Sequence, residues 1–276
     1  KVAKIDSAEI AQYSKDTTRL TWFGHSAFLL EIDGKKVLLD PMLTEVPAPH
    51  PLLGPRRYSS ELPIAIEKLP YIEAIIISHD HYDHLDYRSI QRLKEKTGRF
   101  YTSLGVGNHL EAWGIEAERI TELNWWDSTS MEGLKIIATP ARHFSGRALM
   151  DRQSTLWCSW VIEGKTDKIF FSGDGGYDIH FKEIGEKYGP FDLSLLECGQ
   201  YNEQWAAIHM MPEETVQAAI DLQSDIFMPI HWGAFTLALH DWTDPVERAS
   251  IAAMQNEQAM TTPEIGVPLI IGESAP

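Results

Sequence analysis

Basic residues are scarce in this chain. Lys and Arg together number 24 against 40 Asp and Glu, which leaves a formal net charge of −16. A protein that grips nucleic acid broadly carries a basic face, so this balance argues against nucleic-acid partners. Cysteine is scarcer still. Cys158 and Cys198 are the two present, too few for a disulfide framework and uninformative about compartment. No stretch approaches the roughly 18 consecutive apolar residues of a membrane-spanning helix. The N-terminal segment is polar and mixed, without the apolar core of a signal peptide. A cytoplasmic location is expected, with the reservation that a chain starting at Lys1 rather than Met is compatible with a removed export signal. What is present is an ordinary globular balance, 43% apolar and 23% charged, which excludes disordered and low-complexity classes. The outlier is histidine, with 11 residues. It is the commonest metal ligand and acid–base side chain, so the positions of those residues decide the reading.

Short strand-like runs are expected at 20–23, 27–32 and 37–39, with Asp33 and Gly34 turning a hairpin. Residues 42–60 are rich in proline and read as a long ordered loop, expected at the rim of a cleft. The apolar run 74–77 fits a buried strand. Asp86 is placed to cap a helix over 87–96 that ends at Gly98. Further strands are expected at 100–104, 134–138, 155–162, 168–171, 193–196 and 226–228, and helices at 181–188, 213–222 and 245–255. No linker or short-period repeat divides the chain. One domain spanning 1–276 is expected, with sheets in the middle and helices outside.

Directly after the buried run comes Ser78-His79-Asp80-His81-Tyr82-Asp83-His84, a His-x-His-x-Asp-His pattern. Residues two apart in an extended or tightly turning segment project to one side, so His79 and His81 can grip one ion. Asp83 and His84, one turn further on, can grip a second. Imidazole nitrogen and carboxylate oxygen suit zinc and its first-row neighbours. A polar helix cap with solvated histidines is the bland alternative, and four ligand types crowded after a buried strand argue against it. Three other strand ends carry a single His or Asp where Gly or Pro turns the chain: His143, Asp174 and His231. Each alone would more often be a surface or core residue. Together they complete two shells, His79, His81 and His143 for one ion and Asp83, His84 and His231 for the other, with Asp174 bridging.

These residues resemble the signature of the metallo-β-lactamase superfamily. Thr21-Trp22-Phe23-Gly24-His25-Ser26-Ala27, Leu39-Asp40-Pro41, Gly54-Pro55-Arg56-Arg57, Ser172-Gly173-Asp174, Ile230-His231-Trp232-Gly233, Thr155-Leu156-Trp157-Cys158-Ser159-Trp160 and His209-Met210-Met211-Pro212-Glu213-Glu214 are similar to one branch. That branch includes the N-acyl-phosphatidylethanolamine-hydrolysing phospholipases D and many uncharacterised bacterial hydrolases. The resemblance implies an α/β fold, a four-layer αββα sandwich, with a dinuclear site between the sheets. One departure stands out. Where the phospholipase turn is mostly apolar, this chain has Glu197-Cys198-Gly199-Gln200-Tyr201, which favours a smaller or more polar substrate. Glu197 is read either as a group near the metals or as an ordinary strand-end charge, and Cys198 either as a small buried side chain or as a thiol.

Two divalent ions can share a water and lower its pKa from 15.7 toward about 7, which supplies a hydroxide without a serine or cysteine nucleophile. Zinc is the expected metal; manganese and iron accept the same ligands. The first expectation is phosphodiester hydrolysis of a small-molecule or lipid-derived substrate. The second is a lactone, carboxylic ester or amide on the same site. A redox or metal-sensing protein is the third. The resemblance implies a substrate-facing role for His209, which could contact a substrate oxygen or donate a proton. Asp80, between two ligands, is a candidate for acid–base or supporting duty. His25 is read either as orienting a ligand or Asp40 by hydrogen bonding or as a structural turn residue, and Asp40 as a supporting or substrate-lining candidate. Arg142, Arg147 and Arg152 either pair a phosphate or decorate a solvated loop. Trp205 and Trp232, with Trp125 and Trp126, lie near turns where they could wall the cleft. His50, His109, His180 and His240 are read as surface residues. A homo-oligomer is expected on base rates alone.

Overall fold

The computed structural model describes residues 1–272. Two mixed sheets lie face to face. The first contains β1 (Arg19–Trp22), β2 (Phe28–Ile32), β3 (Lys35–Leu39), β4 (Ile72–Ile77), β5 (Thr97–Ser103), β6 (Ile120–Leu123) and β13 (Leu269–Ile270), in the order 13-1-2-3-4-5-6. The second contains β7 (Ser128–Met131), β8 (Leu134–Thr139), β9 (Ser159–Glu163), β10 (Lys168–Phe171), β11 (Leu193–Glu197) and β12 (Phe227–Ile230), in the order 12-11-10-9-8-7. Strands β3 to β6 run parallel, as do β10 to β12.

Period-two alternation builds the layers. Phe28, Leu30, Ala74 and Ile76 face Ile136, Trp160, Ile169 and Phe171 across the inner core. The alternate residues Leu29, Ile75 and Ile77 face outward, onto Ile10 of α1 (Ser7–Ala11), Ile90 and Leu93 of α2 (Tyr87–Leu93) and Leu110 of α3 (Gly107–Ala112). On the other side, Ile137, Val161 and Phe170 meet α4 (His180–Tyr188), α5 (Pro212–Asp221) and α6 (Asp244–Gln255) through Phe181, Val216 and Ala252. The result is the four-layer αββα sandwich. Among the described residues, no helix is long and apolar enough to cross a membrane.

The expected elements hold with local changes. Asp86 caps α2 by accepting from the N–H groups of Arg88 and Ser89. That helix tightens into a 3₁₀ turn at Lys94–Lys96, and β5 already starts at Thr97, so Gly98 lies inside a strand instead of ending the helix. Of the run 155–162, only the part from Ser159 pairs as a strand. Thr155 to Cys158 is instead an extended connection, tied to Leu104 and Ser78 through Leu156 and Cys158. Strands β6 and β7 carry few buried side chains, which explains why an apolar pattern does not reveal them.

The topology gathers the chemistry at one edge. Strands β4, β8, β10, β11 and β12 lead into His79, His143, Asp174, Glu197–Cys198 and His231 respectively. Carboxyl ends of strands in open α/β sheets are where ligands bind. A bridge between His25 and Trp232 joins the two sheets there.

Candidate metal centre

Three imidazoles face one another after β4 and β8. His79 Nε2 lies 2.9 Å from His81 Nδ1, and His143 Nε2 lies 3.2 Å from the same atom. The outer nitrogens are already committed. His79 Nδ1 meets Ser78 Oγ at 2.9 Å, and that hydroxyl in turn donates to Asp40. His143 Nδ1 donates to the Ile208 carbonyl at 3.0 Å. Each N–H therefore points outward, and the inner nitrogens of His79 and His143 present lone pairs. A single proton on His81 could serve only one of them well. A cation would satisfy all three, and tetrahedral zinc with nitrogen at about 2.0–2.1 Å needs nitrogens roughly 3.3 Å apart.

A second group, His25, Asp83, His84 and His231, offers ligand atoms that also lie close together. His25 Nε2 is 2.9 Å from Asp83 Oδ2. Between the groups sits Asp174. Its Oδ2 is 3.1 Å from His84 Nε2 and 3.9 Å from both His79 Nε2 and His143 Nε2, and its Oδ1 is 3.1 Å from His231 Nδ1. Yet His84 Nε2 and Asp174 Oδ1 are buried without a hydrogen-bond partner. Orphaned buried polar atoms are costly. Each of these two lies 3.1 Å from an opposing ligand atom, His84 Nε2 from Asp174 Oδ2 and Asp174 Oδ1 from His231 Nδ1, an arrangement that a shared cation would satisfy.

Local sequence explains the placement. Asp174 follows Gly173, whose φ of +58° and close approach to Ser78, with a Cβ only 2.6 Å from where its own would stand, leave no room for a side chain. Left-handed backbone at His25 (58°), Asp40 (37°), Gln200 (64°) and His231 (68°) concentrates at the same place. Such conformations cost non-glycine residues energy and cluster at functional sites. Asp40 accepts from Ser78 N–H at 2.7 Å and holds His84 Nδ1 at 2.6 Å, which turns Nε2 toward Asp174. Hydrogen bonds of this kind fix the orientation of an imidazole that faces a metal site.

Burial dominates the electrostatics. It pushes His79 and His231 well below the usual histidine range, lowers His81, and takes His143 down to about 3. Neutral imidazoles are the form that ligates metal. Burial works against ionised Asp83 and Asp174, but the surrounding histidines outweigh it and hold both well below the carboxylate range. Burial likewise opposes charge on His84, and there Asp174, Asp83 and Asp40 win and raise it.

A cavity of about 340 Å³ opens onto this cluster, lined by polar His81, Asp83, Asp174, His209 and His231 and by apolar Phe144, Trp205, Ile208 and Leu237. His209 Nδ1 is 3.1 Å from Glu197 Oε1, and Glu197 Oε2 accepts from the main-chain N–H of Met210 at 2.8 Å. Glu197 is thus beside the site and fully buried, and burial pushes its carboxyl up to about 7. Burial opposes charge on His209, but the Glu197 carboxylate outweighs it and raises the imidazole. Cys198 is buried, with burial pushing its thiol upward, which leaves the small-side-chain reading.

Several expected residues stand elsewhere. Asp80 is not in the cavity lining: its carboxylate accepts from Gly146 N–H at 2.8 Å and Thr155 Oγ1 at 2.9 Å, with His109 Nε2 at 3.4 Å. It anchors the segment that follows His143. Arg142 reaches Asp178 and the Tyr177 carbonyl, and Arg147 is consumed by the carbonyls of Asp80 and Leu85. Trp232 packs on Trp22 and Trp242 outside the cavity, and Trp125 packs against Trp157. His180 is buried and not a surface residue. Residues of the 42–60 loop line a separate groove with α2. Gln200, Phe144, Ile208 and Leu237 were not singled out from sequence. Adjacency to His143 and His209 would have pointed to Phe144 and Ile208.

Residues 35–232 match the family described as the Beta-lactamase superfamily domain. The chain belongs to the metallo-β-lactamase superfamily. An uncharacterized protein of Mycobacterium tuberculosis is 45% identical over 257 residues, covering 91% of this chain and 68% of that one. The N-acyl-phosphatidylethanolamine-hydrolyzing phospholipase D 1 of Caenorhabditis elegans is 32% identical over 234 residues, covering 80% of this chain and 65% of that enzyme. Among solved structures, the isothiocyanate hydrolase from Delia radicum gut bacteria has a TM-score of 0.71 at 22% identity, covering 91% of this chain and 98% of that one. The last likeness concerns the fold. As a metallo-β-lactamase superfamily member, this chain is a metal-dependent hydrolase, and its clustered His and Asp side chains fit that assignment.

Proposed function

We propose that this chain hydrolyses a phosphodiester in a small-molecule or lipid-derived substrate, with two divalent ions, zinc by preference, held by His79, His81 and His143 on one side and Asp83, His84 and His231 on the other. The observation that carries the reading is Asp174, which stands between the groups: its Oδ2 is 3.1 Å from His84 Nε2 and 3.9 Å from His79 Nε2 and His143 Nε2, and its Oδ1 is 3.1 Å from His231 Nδ1. His25 lies within reach of the second group and either ligates or fixes Asp83. Two ions bound there would lower the pKa of a shared water and neutralise negative charge on the substrate. The phosphodiester preference rests on kinship with the Caenorhabditis elegans phospholipase.

The remaining work falls to the chain's own side chains. Glu197 occupies His209 Nδ1, so Nε2 is the nitrogen left to meet substrate. A protonated His209 would donate to the leaving oxygen from there. Phe144, Trp205, Ile208 and Leu237 give the open mouth of the site an apolar wall beside the reacting bond. At about 340 Å³ the cavity is at the small end of ligand sites, room for the groups flanking phosphorus but not for a whole phospholipid.

One observation favours a second reading, a lactone or carboxylic ester. No Arg or Lys appears among the described residues lining the cavity, so a phosphate would find no guanidinium or ammonium group there. The deciding experiment is a panel of phosphodiesters, lactones and esters with the metal-loaded protein. Turnover of phosphodiesters is expected, and turnover of lactones alone would overturn the first reading.

A further inference from the structure

The turn after β11 carries a buried polar side chain that the chemistry above leaves unused. Gln200 adopts left-handed backbone at φ 64°, a state that persists only where the surroundings over-determine it. The surroundings are specific. Gln200 Oε1 accepts the main-chain N–H of Leu237 at 2.8 Å. Its Nε2 donates to the carbonyls of Phe235 at 3.1 Å and His231 at 3.3 Å. Its own carbonyl accepts Trp205 Nε1 at 2.8 Å. One residue therefore ties together the β11 turn, the turn bearing His231, and two apolar walls of the cavity, Trp205 and Leu237. Neighbouring Gly199 makes this approach feasible, because a Cβ there would collide with the His231 carbonyl.

Phe235 is also held by His25 and Arg57, so the tie matters most at the tip of the wall, Thr236 and Leu237. Ala234 and Phe235 are buried against Met42, but Thr236 and Leu237 are exposed and belong to no helix or strand. Beyond Gln200, the Thr236 hydroxyl pairs with Tyr58 Oη at 2.8 Å. The position of Leu237 over the cavity follows from the Gln200 amide.

We infer that Gln200 is a positioning residue that fixes the 235–237 wall and thereby limits the bulk of the group beside the scissile bond. The inference rests on the reading of this cavity as the hydrolytic site. An amide suits the task because it offers an acceptor and a two-proton donor on one rigid plane. Glu would present acceptors to two carbonyls, and Asn is one methylene too short to span the gap.

The test uses Gln200→Ala and Gln200→Asn in the full metal-loaded chain. Asn tolerates left-handed backbone and guards against a variant that simply fails to fold. Hydrogen exchange at the Leu237 amide is expected to accelerate by at least about 10-fold in both variants, since its protecting bond is gone. Metal content should not change. The kcat/KM ratio of bis(4-nitrophenyl) phosphate to methyl 4-nitrophenyl phosphate should rise by about 10-fold, mainly through KM. Unchanged exchange would overturn the inference, as would faster exchange with an unchanged ratio. Loss of metal would also overturn it, because Gln200 would then act through His231. If the unmodified chain cleaves no phosphodiester, the functional reading fails separately. The ratio is then taken from 4-nitrophenyl butyrate and acetate, and the Leu237 exchange still decides whether Gln200 holds the wall.

Discussion

Replacing Glu197 with Gln removes one charge and keeps the shape, which isolates what the carboxylate does for His209. The pair is 3.1 Å apart, with the Glu197 side chain fully buried and that of His209 14% exposed. At that separation and an effective dielectric of about 20, two unit charges attract by roughly 5 kcal/mol. Desolvation offsets much of this. The net contribution of a hydrogen bond to a charged group is about 1.5–3 kcal/mol. One pH unit corresponds to about 1.36 kcal/mol, so loss of the carboxylate should lower the His209 pKa by about one to two units. The sign follows from the direction of the native shift. The carboxylate raises His209, and the protonated donor exists below its pKa. The alkaline limb of kcat should therefore move to lower pH by about one to two units. The assay is a kcat–pH profile of both proteins on one substrate with a good leaving group and one with a poor one, alongside metal content. The shift should be larger in effect for the poor leaving group, which needs the proton. An alkaline limb that stays in place, or a loss of activity that tracks loss of metal, would refute the assignment of His209 as donor.

Two further outcomes are expected. Asp40→Asn should weaken metal binding by about 10- to 100-fold without abolishing the fold, because Asp40 orients His84 and Ser78 instead of lining the cavity; equilibrium dialysis against a chromogenic chelator reads it, and unchanged affinity would remove Asp40 from the site. The metal-free chain should lose stability as pH falls from about 6.5 toward 4. Burial holds His143 near about 3 and His180 near about 4, so below the unfolded pKa only the unfolded chain takes up those protons. His84, His209 and Glu197 are raised and act in the opposite sense, but the lowered histidines outnumber them. A urea midpoint that is flat from pH 7 to 4.5 would contradict neutral buried imidazoles.

Much of this architecture is legible in the chain because strand ends are. Apolar runs ending in Gly or Pro beside a lone His or Asp mark where β8, β10 and β12 deliver His143, Asp174 and His231, and the His-x-His-x-Asp-His run marks β4. Spacing does not reveal contacts made across the sheets. His25 approaches Asp83 only because a bridge to Trp232 draws the first hairpin onto the second sheet. Asp80 looks like a catalytic carboxylate from its neighbours, and its engagement by Gly146 and Thr155 depends on a loop folding back from distant sequence. Arg142 and Arg147 read alike in sequence, yet one is an exposed partner of Asp178 and the other a half-buried prop beneath Asp80. The clamp at Gln200 depends on a left-handed backbone that no residue type at that position advertises.

The proposed site requires two ions to depend on Asp174. Elemental analysis of the chain purified without added metal, beside Asp174→Ala prepared the same way, tests it most directly. About two divalent ions per native chain, mainly zinc, are expected, with loss of metal together with activity in the variant. Two ions retained by Asp174→Ala, or a native protein with no stoichiometric metal, would contradict it.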